Sequence, residues 1–151
     1  MRSSGPKRER ARFAGRDHDC MKTFLIVDDE PAIRMSLSEA LSECGYSVRS
    51  VGDGNAALSA IRKKVPDVVL SDLNMPGMSG LELLSVIRDS FPEIHRIAMS
   101  GASVAESMLP RIAAHAFYPK GYGIGLLLNI ISSLPQREPL SPSHTSGLTS
   151  I

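Results

Sequence analysis

Three consecutive acids, Asp28, Asp29 and Glu30, close the apolar run Leu25-Ile26-Val27, and Pro31 follows at once. A fourth acid, Asp72, closes the run Val68-Val69-Leu70-Ser71 within VVLSDLNMPGMSG, and Ser100 and Lys120 stand at corresponding points after later apolar runs. Gathered carboxylates repel: two of them about 4 Å apart cost roughly 4 kcal/mol at an effective dielectric near 20. One lysine offsets part of that charge, and a divalent cation would offset the rest. A donor set of oxygens alone, with no His or Cys nearby, suits a hard ion, Mg²⁺ or Mn²⁺. Magnesium keeps several waters and shares its shell with phosphate oxygens, so the chemistry this set points to is phosphoryl transfer. Taken singly, each residue has a plainer role. Asp29 would cap a helix, Asp72 would serve a turn, Ser100 would cap a later helix and Lys120 would be a surface lysine. Glu30 reads as a first-turn partner of a helix dipole. Convergence on one rim is what makes the set chemical.

The elements that bring them together are legible as alternating patterns. Residues 23–27 are continuously apolar, as expected of a strand covered on both faces. Ile33, Leu37 and Leu41 then recur every four residues on one helical face, with Pro31 in the first turn and Gly45 as the stop. The same alternation predicts strands at 46–51, 68–71, 94–99 and 116–118. It predicts helices at 53–64 (Ala57 and Ile61 inward), around Leu83, Leu84 and Ile87, and at 124–134. Residues 103–114 are expected to be helical, broken or kinked at Pro110. Five strand–helix repeats imply an α/β fold, a doubly wound parallel five-stranded sheet with right-handed crossovers. In such sheets the functional crevice lies beyond the carboxyl ends of the strands, where Asp28, Asp29, Asp72, Ser100 and Lys120 all fall.

Length and composition bound the rest. A chain of 151 residues is about one domain, and 42% hydrophobic residues with a net charge of +1 direct it to neither nucleic acid nor membrane. Cys20 and Cys44 form no metal or redox spacing, and no secretory core is visible, so a reduced, cytoplasmic protein is expected. Residues 1–20 read as a disordered basic tail, with Met21 as an alternative start, residues 21–134 as the folded domain and residues 135–151 as a polar disordered tail.

The DDE after the first strand, SDLNMPGMSGLELL after the third, MSGAS after the fourth and a lysine after the fifth together resemble the receiver domain of two-component response regulators. The resemblance covers about residues 22–134 and implies a flavodoxin-like (βα)5 sheet of strand order 2-1-3-4-5. It implies that Asp72 accepts a phosphoryl group from a sensor histidine kinase or a histidine phosphotransfer protein. Asp29 and Asp72 would ligate Mg²⁺ (or Mn²⁺) directly, Asp28 through water, and the backbone carbonyl of Asn74 would complete the protein ligands. Lys120 would pair with Asp72 and then with a phosphoryl oxygen, and the Ser100 hydroxyl would swing to another. Phe117 occupies the aromatic switch position on the fifth strand. The output surface for a downstream protein target would be residues 103–114, the fifth strand and the final helix. Leu126 and Ile130, four residues apart on that helix, form a stripe that would serve a dimer or another partner, or else widen the core face.

The family pattern is Lys-Pro with a cis peptide, whereas Lys120 precedes Gly121 and Pro119 lies on the other side. A cis bond before glycine costs about 2.5–4 kcal/mol, so trans is expected here. Three readings compete. The first is a stand-alone phosphorylated receiver acting through protein contacts or relay, without DNA binding and without multiple turnover. The second is a non-switching scaffold. The third is a hydrolase with Asp28 as nucleophile, for which acids at alternate rather than adjacent positions are the usual pattern.

Overall fold

The computed structural model describes residues 22–101, 108–109 and 111–135. The expected tails up to residue 20 and beyond Pro135 lie outside the described residues, as does the first part of the expected helix at 103–114. Five strands pair in parallel: β1 (Thr23–Val27), β2 (Ser47–Val51), β3 (Val68–Asp72), β4 (His95–Ser100) and β5 (Ala116–Pro119). Their order is β2-β1-β3-β4-β5, as the resemblance implied. Among the described residues four helices accompany them: α1 (Pro31–Glu43), α2 (Gly54–Lys63), α3 (Gly80–Ser90) and α4 (Ile124–Ser133).

Parity along the strands splits the core in two, because successive side chains face opposite sides of a sheet. Leu25, Val27 and Val69 pack under α2 and α3 with Ile61, Leu83, Leu84 and Ile87. Phe24, Ile26 and Leu70 pack under α1 and α4 with Leu37, Leu41, Leu127 and Ile131. Central strands must therefore be apolar on both faces, and β3 is buried at every residue while the edge strand β2 is not. Helix starts follow local chemistry. Asp53 accepts a hydrogen bond from the Ala56 N–H at the head of α2, and Ser79 and Glu82 form a reciprocal capping box at the head of α3. After α1 the chain turns through Gly45 at φ +96°, a conformation glycine adopts without strain.

One expectation is corrected. Residues 109 and 111–113, expected to belong to a helix broken or kinked at Pro110, form turns instead. Pro110 has no N–H to continue a helical ladder. The Arg111 N–H bonds three residues back to Met108, and the Ala114 N–H reaches five residues back to Leu109. Ala113 is held at φ +59°, a left-handed conformation that costs an alanine roughly 1–2 kcal/mol. Arg96 holds it there: this buried side chain of β4 donates from Nε to the Ala113 carbonyl at 2.6 Å and from Nη1 to the Ile94 carbonyl at 3.1 Å. The turn thus hangs from β4 and delivers β5, and with it Lys120, into register.

Leu126 and Ile130 are partly buried against the α1/α4 core, as a wide core-facing stripe requires. No described helix is long and apolar enough to cross a membrane.

Candidate functional site

Strand register alone aligns the site. Val27 pairs with Ser71, so Asp28 and Asp72 are the next residues out on adjacent strands. Ser100 pairs with Pro119, and the Lys120 N–H donates to the Ser100 carbonyl at 3.0 Å. Asp72 itself pairs with Met99, so Ser100 stands one residue further out and Lys120 two, and the four make a stepped row along the carboxyl edge.

Carboxylate oxygens of Asp28, Asp29 and Asp72 lie within 4.8 Å of one another. Asp28 is fully buried and Asp72 nearly so, whereas Asp29 faces solvent. Asp28 Oδ1 accepts the Glu30 N–H at 2.9 Å, and Asp72 Oδ1 accepts the Asn74 N–H at 3.2 Å. Lys120 Nζ sits 2.9 Å from Asp28 Oδ2, 3.2 Å from Asp72 Oδ2 and 3.5 Å from Glu30 Oε1. Buried Asp28 Oδ2 meets the ammonium only as an ion pair, off the line a hydrogen bond needs, and no other donor reaches it.

One ammonium does not discharge this pocket. Burial pushes Asp72 above its ordinary carboxylate value, against the pull of the Asn74 N–H and Lys120, and the Asp28 charge adds to the rise. Burial alone would lower Lys120, but the Asp28 and Asp72 carboxylates outweigh it and hold the ammonium above its ordinary value. Lysine is firmly charged, yet the acids around it remain under-neutralised. An all-oxygen triad in which one buried oxygen accepts no hydrogen bond fits a hard divalent cation.

The row is supported by residues whose roles were not apparent in the sequence. Arg34, on the first turns of α1, donates from Nη1 to the Asp28 carbonyl at 2.6 Å and lies where a Cβ on Gly52 would crowd it at 3.1 Å. A Cβ on Gly80 would collide with the Asp72 carbonyl, so only glycine lets α3 start this close beneath the site. The Ser-x-x-Glu box at residues 79–82 was the legible signal that a helix begins there. Glu30, not Asp29, occupies the N-cap of α1, and its side chain caps nothing. Phe117 is partly buried on the α2/α3 side of the sheet, while Tyr118 is buried on the other, its hydroxyl donating to the Gly123 carbonyl at 3.0 Å. Lys120–Gly121 is trans, as expected, and Gly121 stands at φ +87°. A cleft of about 280 Å³ lined by Ile33, Leu37, Tyr118, Gly121 and Ile124 opens beside Lys120.

A doubly wound sheet of this order with an acidic pocket at its carboxyl edge defines the CheY-like class of α/β domain. The family model of the response regulator receiver domain matches residues 24–131, and the chain belongs to that family, whose signalling is of the phosphorylation type. Among solved structures, the response regulator protein TrrA from Thermotoga maritima in complex with Mg(2+)-BeF is 35% identical, with a TM-score of 0.70 over 76% of this chain and 100% of that one. The same protein, in complex with the histidine kinase ThkA, is 34% identical with a TM-score of 0.70, over 77% of this chain and 100% of that one. Among curated relatives, the DNA-binding transcriptional regulator NtrC of Klebsiella pneumoniae is 40% identical over 66% of this chain and 22% of its own length. The probable transcriptional regulatory protein TcrX of Mycobacterium tuberculosis is 35% identical over 61% of this chain and 39% of its own. The chain thus spans well under half of these two curated relatives.

Proposed function

We propose that this receiver accepts a phosphoryl group on Asp72 from a phosphohistidine of a sensor histidine kinase or histidine phosphotransfer protein. The observation that carries this reading is Lys120 Nζ lying 2.9 Å from Asp28 and 3.2 Å from Asp72 within a compact acid triad. Asp28, Asp29 and Asp72, with the Asn74 carbonyl, would hold Mg²⁺, and Mn²⁺ suits the same oxygens. The bound ion would neutralise phosphoryl oxygens as charge develops on them.

The chain's own residues do the rest. An Asp72 carboxylate oxygen attacks phosphorus, the new P–O bond forms as the P–N bond to the donor imidazole breaks, and the freed imidazole takes a proton from solvent. No general base is needed because the nucleophile is ionised. Asn74 fixes the other face of the Asp72 carboxylate through its N–H. Lys120 is placed to follow the charge from the carboxylate to a phosphoryl oxygen. Ser100 is nearly fully buried at the end of β4, where its hydroxyl would meet another. The event is stoichiometric, one phosphoryl per chain, rather than multi-turnover.

Output would pass through Ser100 and Phe117 to the face of β5 and α4, for a protein target or an onward relay. The partly exposed Leu126 and Ile130 would serve a partner or second copy there. A scaffold that is phosphorylated without switching is the second reading, favoured by the Gly121 backbone and by Phe117 having no hydroxyl. Binding of the partner before and after phosphorylation separates the two.

The test uses radiolabelled acetyl phosphate with Mg²⁺. Label is expected on the wild type, none on Asp72→Asn and none after chelation of the metal; retained label on Asp72→Asn overturns the assignment.

A further inference from the structure

We propose that Glu30 is a positioning residue for Lys120, holding the ammonium at the pocket when a divalent cation has claimed its other partners. The inference rests on the reading of Asp72 as phosphoacceptor and deepens it. Three carboxylates surround Lys120 Nζ: Asp28 at 2.9 Å, Asp72 at 3.2 Å and Glu30 at 3.5 Å. Two of them belong to the oxygen triad suited to a cation, and Glu30 does not. A divalent ion on the triad would cancel two of its three charges and so weaken, without abolishing, the pull of Asp28 and Asp72 on the ammonium. Glu30 is then, among the described residues, the one carboxylate within ion-pair distance of the ammonium whose charge the ion does not share.

The local structure frees Glu30 for this work. It stands at the N-cap of α1, yet its side chain bonds no helix N–H. Its own N–H is bound to Asp28 Oδ1 at 2.9 Å, so its backbone is anchored to the pocket while its carboxylate reaches over the rim. Beyond Lys120, Gly121 stands at φ +87° with no atom within 4 Å of where a Cβ would stand. Lys120 is tied at its backbone, where its N–H bonds the Ser100 carbonyl at 3.0 Å, and at its ammonium end by these carboxylates.

A double-mutant cycle tests this. Initial rates of labelling by acetyl phosphate at saturating Mg²⁺ are measured for the wild type, Glu30→Gln, Lys120→Met and the double variant, with Mg²⁺ affinity followed by titration calorimetry. Glu30→Gln is expected to slow labelling about two- to fivefold, the scale of an exposed ion pair, with Mg²⁺ affinity changed less than about twofold. It should have no further effect once Lys120 is methionine. Equal slowing in both backgrounds, or no slowing at all, overturns the inference. Independently of labelling, acetic anhydride should modify Lys120 several times faster in Glu30→Gln than in the wild type at saturating Mg²⁺. Unchanged reactivity likewise overturns it. Label that survives Asp72→Asn would instead sink the functional reading, so the two failures are distinguishable.

Discussion

At the scale of single residues, the site divides its acids by exposure. Asp28 is buried and its carboxylate is committed to the Glu30 N–H and to Lys120, so its loss would leave a half-buried ammonium under-paired. Asp29 is exposed and makes no such contact, which frees it for a ligand's work. Asp29→Ala should therefore separate stability from metal binding. Stability in urea is expected to move by less than about 0.5 kcal/mol, as for surface changes generally. Mg²⁺ affinity by calorimetry should fall about tenfold or more, since a unit charge within about 4 Å of a divalent ion is removed.

At the scale of elements, close approach decides the geometry. The capping box starts α3 at Gly80, and the Gly80 N–H bonds the Leu73 carbonyl at 3.1 Å, drawing the helix onto the end of β3. Gly80→Ala would push a methyl group into the Asp72 carbonyl. A loss of about 1–3 kcal/mol is expected in urea denaturation, the range for overpacking, together with slower labelling of the displaced Asp72. At the other end of the row, Gly121 at φ +87° explains why the family's proline is not a neutral replacement here: a proline ring fixes φ near −65°.

At the scale of the whole molecule, β4 and β5 contribute to both cores, and one hydrogen bond at the start of their pairing depends on a titratable ring. The His115 N–H donates to the Arg96 carbonyl at 2.7 Å, while His115 Nδ1 accepts the Arg96 N–H at 3.0 Å in place of a strand carbonyl. Acceptance requires a neutral ring. Burial, then the charges of Arg96 and His95, hold His115 below its ordinary value of 6.5. A depressed histidine contributes stability that is fully present above pH 6.5 and lost as pH falls through the folded-state value. Thermal unfolding should therefore show His115→Ala less stable than the wild type by about 1 kcal/mol at pH 8, for the lost acceptor. The difference should narrow toward pH 5 as the wild-type ring takes up its proton; a constant difference would show that the ring's charge state is irrelevant.

The strands, the helix faces and the gathering of Asp28, Asp29, Asp72, Ser100 and Lys120 were legible in the sequence, because each depends on a local pattern. A continuous apolar run must be covered on both faces, and the residue after it must emerge at the sheet's edge. The turn at 111–114 was not legible, because it is held by the guanidinium of Arg96 reaching across from β4 rather than by its own neighbours. Glu30 was readable as a helix-dipole partner, yet only the assembled sheet brings Lys120 within 3.5 Å of it. Periodicity is written along the chain, whereas which charge meets which is set by the register of strands far apart in sequence.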